Sequence, residues 1–88
     1  MSVRIDLQAF LSCGVPTSLE VEGKSVGECI EMLVRCFPQM GKILFEKEGK
    51  LNPYVELFVN GVTVYPQNLA HQVEEGDVIT ALAVIGGG

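Results

Sequence analysis

Residues Ser18–Phe37 read SLEVEGKSVGECIEMLVRCF, and the apolar period changes in the middle of the stretch. Over Ser18–Glu22, Leu19 and Val21 alternate with Glu20 and Glu22. A period of two marks a strand with one face buried. Ser25-Val26-Gly27-Glu28 then matches a capping box, in which the serine hydroxyl and glutamate carboxylate satisfy free backbone N–H groups at a helix start. Val26, Cys29, Ile30, Leu33, Val34 and Phe37 follow at helical spacing, with Glu28, Glu31 and Arg35 off that stripe. Pro38 stops the helix. A strand followed by a helix with a single apolar stripe predicts a helix lying across one face of a sheet.

Reading outward, Val3–Leu11 also alternates, with Val3, Ile5, Leu7, Ala9 and Leu11 on one face and Arg4, Asp6, Gln8 and Phe10 on the other. The turn residues Ser12–Pro16 join it to Ser18–Glu22 as an N-terminal hairpin. Gln39–Pro53 lacks clear periodicity: Ile43-Leu44-Phe45 is an anchor to the core, and Glu46–Lys50 is a solvated loop. Tyr54–Val59 returns to alternation, Asn60-Gly61 is the signal of a type I′ hairpin turn, and Val62-Thr63-Val64 is the return strand. Leu69 and Val73 tuck a short segment against the core, and Glu74-Glu75-Gly76-Asp77 makes an acidic turn. Val78–Ile85 is a continuous apolar run, expected to be a central strand buried over much of both faces. It leads straight into Gly86-Gly87-Gly88.

Composition narrows the function. At 88 residues, 48% hydrophobic and 19% charged, the chain reads as one globular domain over 1–88, with 86–88 as a flexible tail. The net charge of −5, with no Lys or Arg after Lys50, opposes binding to nucleic-acid phosphates or an anionic membrane and favours a basic partner surface. It also keeps a small protein soluble. The three cysteines Cys13, Cys29 and Cys36 form no C-x-x-C, and His71 is the only histidine, so a metal site is not expected. Cys29 and Cys36 fall in the helical pattern as small buried hydrophobes, and Cys13 lies in a turn. An odd cysteine count suits a reducing compartment, read as the cytoplasm.

No nucleophile–base set, phosphate-binding glycine loop or second histidine is present, so an enzyme acting alone is not expected. The glycines at 86–88 are the exception. Lacking a Cβ, they make a backbone flexible and thin enough to enter a narrow channel. The carboxylate of Gly88 is open to attack on both sides, which puts the functional group on the main chain.

Tyr54–Gly61 (YVELFVNG), Gly76-Asp77-Val78-Ile79 after the acidic turn, and Gly87-Gly88 together resemble the MoaD/ThiS sulfur carriers, over essentially the whole chain. The Lys42–Pro53 insertion looks like the longer members, the molybdopterin synthase small subunit and the CysO-type carriers. The resemblance implies an α+β, ubiquitin-like β-grasp fold: a mixed sheet of about five strands with one main helix on one face. It also implies a carrier, not an enzyme in its own right, although such a chain counts as the small subunit of a sulfurtransferase such as molybdopterin synthase. A ubiquitin-activating-enzyme-like adenylyltransferase would use ATP on Gly88, with Gly87 beside it, and a sulfur donor would convert the carboxylate to a thiocarboxylate. The acceptor would be a molybdopterin synthase large subunit or a cysteine- or homocysteine-synthase-like enzyme. The carrier itself binds no cofactor in this scheme. Ala83-Val84-Ile85 stands where many molybdopterin-type members have prolines, and Gly86 is a third glycine, which leaves the pathway open.

Partner docking needs exposed apolar surface. Phe10 and Phe58, with Val78 and Leu82 if Ile79 and Ala81 face the core, form one patch opposite the helix, and Gly86 enters the partner with the tail. Two rivals use the same chain: a ubiquitin-like modifier joined through Gly88 to lysines, and an interaction module with an inert tail.

Overall fold

The computed structural model describes residues 2–7, 14–46, 51–64 and 69–83, Ala83 by its backbone alone. Its strands are β1 (Ser2–Leu7), β2 (Ser18–Glu22), β3 (Val55–Val59), β4 (Val62–Thr63) and β5 (Val78–Ala83); its helices are α1 (Val26–Cys36) and α2 (Gln39–Leu44). The five-stranded sheet has the order β2-β1-β5-β3-β4. The neighbours β1 and β2, β3 and β4, and β3 and β5 are antiparallel, whereas β1 and β5 are parallel. The last strand in the chain is therefore the middle strand of a mixed sheet.

The alternation on each strand becomes two faces. Val3, Ile5 and Leu7 of β1, Val21 of β2, Val55, Leu57 and Val59 of β3, and Ile79 and Ala81 of β5 are buried with the α1 stripe Val26, Cys29, Ile30 and Leu33. Transfer of these side chains from water, at about 1.5–3 kcal/mol for each large one, is the main force holding helix to sheet. β5 is central, as expected, but only one of its faces is covered. Val78, Thr80 and Leu82 are half-buried, since both described helices pack on the other face of the sheet.

Local chemistry sets the helix ends. Ser25 Oγ accepts from the Glu28 N–H at 3.2 Å, and the Glu28 carboxylate reaches back to the Lys24 N–H at 3.1 Å. The box is thus displaced by one residue on its return arm. At the start of α1, the Gly27 N–H donates to the Leu69 carbonyl at 2.7 Å. A Cβ on Gly27 would sit 2.9 Å from that oxygen, so the approach of segment 69–73 depends on glycine there.

Two further expectations need correction. Gln39–Pro53 shows no clear periodicity in the sequence, yet Gln39–Leu44 is helical, with Pro38 at its N-cap. Met40 and Leu44, four residues apart, are its two buried side chains; six residues are too few to display a period. Pro38 both ends one helix and opens the next, where its missing N–H costs nothing. Cys36, read as a buried hydrophobe, is exposed, unlike Cys29. It is the last residue of α1 and stands beside β2, the edge strand of the sheet among the described residues.

At the Asn60-Gly61 turn both residues have positive φ, 52° and 82°, as a type I′ turn requires. Leu69 is half-buried and Val73 buried, as expected. Among the described residues no helix is long and apolar enough to cross a membrane, and no group of His, Cys, Asp and Glu is placed to hold a metal ion.

Candidate functional site

The sheet face opposite the helices is divided by charge. Register places Ser18, Asp6, Thr80, Phe58 and Thr63 in one row across all five strands. The next rows hold Glu20, Arg4 and Val78 on one side, and Leu82 opposite Glu56 on the other. The β3–β5 half therefore carries Phe58, Val78 and Leu82 with one carboxylate, Glu56, at its margin, and the β1–β2 half carries Arg4, Asp6 and Glu20. Phe58 and Leu82 are diagonal neighbours on paired strands, about 7–8 Å apart by sheet geometry and within reach of one aromatic partner.

On the charged half Arg4 Nη2 and Asp6 Oδ2 form an ion pair of 2.9 Å, with a second hydrogen bond from Arg4 Nε at 3.0 Å. The hydrogen bond from Arg4 holds the Asp6 carboxyl below the usual carboxylate range, and Asp6 in turn raises Arg4. Across the strand pair this ion pair adjoins Val78 and Thr80 of β5, at the border of the apolar half.

Of the expected partner-binding residues, Phe58 and Leu82 lie on this face and are half-buried, as does Val78. Phe10, Gly86, Gly87 and Gly88 lie outside the described residues. Two exposed apolar side chains were not anticipated, Tyr54 at 62% and Val62 at 69%. Tyr54 immediately precedes β3, and continuing the outward set Glu56 and Phe58 back by two residues would have found it. Val62 pairs with buried Val59, but β4 is the sheet edge and leaves it open to solvent.

Val62 also lines an open concavity of about 830 Å³ with Lys24, His71, Glu74 and Asp77. Asn60 stitches its wall. Its N–H donates to the Val78 carbonyl at 2.8 Å, its Oδ1 accepts from the Val78 N–H at 2.9 Å, and its Nδ2 donates to Asp77 Oδ1 at 3.0 Å. Among the described residues no buried side-chain nitrogen or oxygen lacks a partner.

No protein-family profile matches the chain. A candidate sulfur carrier protein of Archaeoglobus fulgidus is 26% identical over 89 residues, covering all of both chains. The crystal structure of small archaeal modifier protein SAMP1 of Haloferax volcanii superposes with a TM-score of 0.88 at 22% identity, over the full length of both. A chain of the Amycolatopsis orientalis BexX/CysO complex superposes with a TM-score of 0.82 at 28% identity, covering 98% of this chain and 99% of that one.

The fold is thus the ubiquitin-like β-grasp fold, and α2 is an addition to the one main helix expected. The expected resemblance to MoaD/ThiS-type ubiquitin-like proteins holds along the whole chain, which is similar to small sulfur carriers and small modifiers.

Proposed function

We propose that the protein is a sulfur carrier whose working group is the main-chain carboxylate of Gly88. The observation that carries this reading is the end-to-end similarity to a candidate sulfur carrier, on a fold in which the central strand β5 leads into the glycine tail. A ubiquitin-activating-enzyme-like partner would bring ATP. A Gly88 carboxylate oxygen attacks the α-phosphorus and pyrophosphate leaves. Hydrosulfide then adds to the acyl carbon, and AMP leaves with that oxygen. One oxygen is exchanged for sulfur, giving a thiocarboxylate without any change of oxidation state. The body acts as a handle and not as a catalyst.

Phe58 and Leu82, with Val78 beside them, are proposed as the docking patch for the activating enzyme and for the acceptor enzyme. The BexX/CysO neighbour is itself a complex, which supports a working surface on a protein of this shape. The acceptor belongs to molybdopterin synthesis or to a cysteine- or methionine-type pathway. Free Cys29 and Cys36 suit a reducing compartment such as the cytoplasm.

The test is intact-mass spectrometry after incubation with the activating enzyme, ATP and hydrosulfide. The expected result is a mass increase equal to sulfur minus oxygen, located in the C-terminal peptide and lost when Gly88 is deleted. An unchanged mass with an enzyme that activates a known carrier would exclude it. The fold equally accommodates a modifier: digestion of cell extract would then yield lysine peptides carrying a diglycine remnant from this chain.

A further inference from the structure

The outer edge of β2 is built to accept another strand. The Leu7 N–H donates to the Thr17 carbonyl at 2.7 Å, which makes that pair hydrogen-bonded. In an antiparallel ladder such pairs alternate, so Ile5–Leu19 and Val3–Val21 are also hydrogen-bonded pairs. The backbone groups of the intervening Ser18, Glu20 and Glu22 therefore point away from β1. Their partners Arg4 and Asp6 turn toward β5 in the same way, and the Arg4 N–H does donate to the Asp77 carbonyl at 3.0 Å. Among the described residues nothing pairs with this edge of β2.

Beside the edge runs a groove of about 330 Å³ lined by Val21, Met32 and Cys36 on the helix side and by Glu20 and Glu22. A strand laid on β2 would send alternate side chains to the two faces of the sheet. One set would meet Met32 and Cys36. The other would lie beside the exposed carboxylates of Glu20 and Glu22; Arg4, which faces Glu20 across the strand pair, is itself held by Asp6.

We propose that β2 is a docking edge for an extended segment of a partner protein in which apolar residues alternate with Lys or Arg. Charge selects this occupant. A second copy paired through β2 would set Glu20 and Glu22 against the same carboxylates, and like charges directly opposite are destabilising. A basic segment instead gains cross-strand ion pairs as well as main-chain hydrogen bonds, the recognition mode of strand addition. The surface is separate from the Phe58–Leu82 patch and needs no activated Gly88, so its test is independent of the sulfur-carrier reading.

The probe is an acetylated, amidated heptapeptide of alternating Lys and Val with Lys at both ends, and its control replaces each Lys by Glu. Amide hydrogen exchange of the full chain is followed by NMR. Binding of the Lys peptide should slow exchange at Ser18, Glu20 and Glu22 by about tenfold or more, because these N–H groups gain partners. The double variant Glu20→Gln, Glu22→Lys, which alters exposed side chains only, should raise the Kd by about tenfold. The Glu peptide should not bind. Equal binding of both peptides, binding that perturbs Phe58 and Leu82 in place of β2, no change at millimolar peptide, or sedimentation showing copies paired through β2 would each overturn the proposal.

Discussion

Asn60 and Asp77, 17 residues apart in the chain, are joined side chain to side chain at 3.0 Å, and the same asparagine closes two hydrogen bonds on Val78. One residue in the β3–β4 turn thereby sets where β5 begins. Asp77 also accepts from the Glu74 N–H at 2.8 Å, which ties the acidic turn to the same point.

These bonds, that from Asn60 first and that from Glu74 second, hold the Asp77 carboxyl below its ordinary range. A carboxyl lowered on folding stabilises the fold above its unfolded pKa of about 3.9, and that contribution is lost as pH falls through the folded value. Asp77→Asn should therefore be less stable than the parent at neutral pH, with the difference shrinking on acidification below about pH 4. Urea unfolding at both pH values measures it. Asn60→Gly, which keeps the backbone relaxed but deletes the side-chain bonds to Asp77 and Val78, should lower stability in the same urea experiment. It should also reduce the Asp77 pH effect, leaving the part that the Glu74 N–H supplies.

Gly27→Ala sets two effects against each other. Alanine favours a helix by about 1 kcal/mol over glycine. The added methyl, however, would lie 2.9 Å from the Leu69 carbonyl oxygen and 3.2 Å from Leu69 Cβ. Backbone cannot swing aside as a flexible side chain does, so the clash should win and destabilise the protein by about 1–3 kcal/mol. Thermal unfolding should show a lower Tm, and exchange at the Val26 and Gly27 amides should quicken first.

Phe58→Ala removes a large apolar side chain from the open face without touching the core. Stability should change by less than about 1 kcal/mol, as at other partly exposed sites. If Phe58 anchors the activating enzyme, the KM for the carrier should rise roughly 30-fold, the scale of a 2 kcal/mol hot spot, with kcat little altered. Steady-state pyrophosphate release gives both constants.

The two described cysteines should react differently. Burial pushes the Cys29 thiol up, away from the reactive thiolate, whereas Cys36 is exposed. In a Cys13→Ser background, iodoacetamide at about pH 8 should modify Cys36 alone, and Cys29 only after denaturant is added. Peptide mapping distinguishes the two.

Much of the architecture was legible in the sequence because its signals are local. Leu19 and Val21 against Glu20 and Glu22, the α1 stripe, and Asn60-Gly61 each declare their structure within a few residues. What stayed hidden depends on distant parts of the chain. The helix Gln39–Leu44 is defined by what Met40 and Leu44 pack against, and Cys36 is exposed by where the sheet ends. Phe58 was legible as an outward residue from the alternation of Tyr54–Val59, whereas Leu82 is placed only on the condition that Ile79 and Ala81 face the core, because the apolar run Val78–Ile85 does not declare its inner face. Tyr54 and Val62 lie at the margins of strands, where alternation no longer governs exposure.

The place of β5 has a consequence for how the molecule assembles. The hairpin of β1 with β2 and the hairpin of β3 with β4 are sheet neighbours of each other only through it. Until that strand arrives, each hairpin is a two-stranded piece, too small to be stable in water by itself. The sheet therefore forms late, from contacts that are far apart in sequence, which makes folding slower than for a helical bundle of this size. On the ribosome, both hairpins wait with half-covered apolar faces until the strand that bears the tail has emerged.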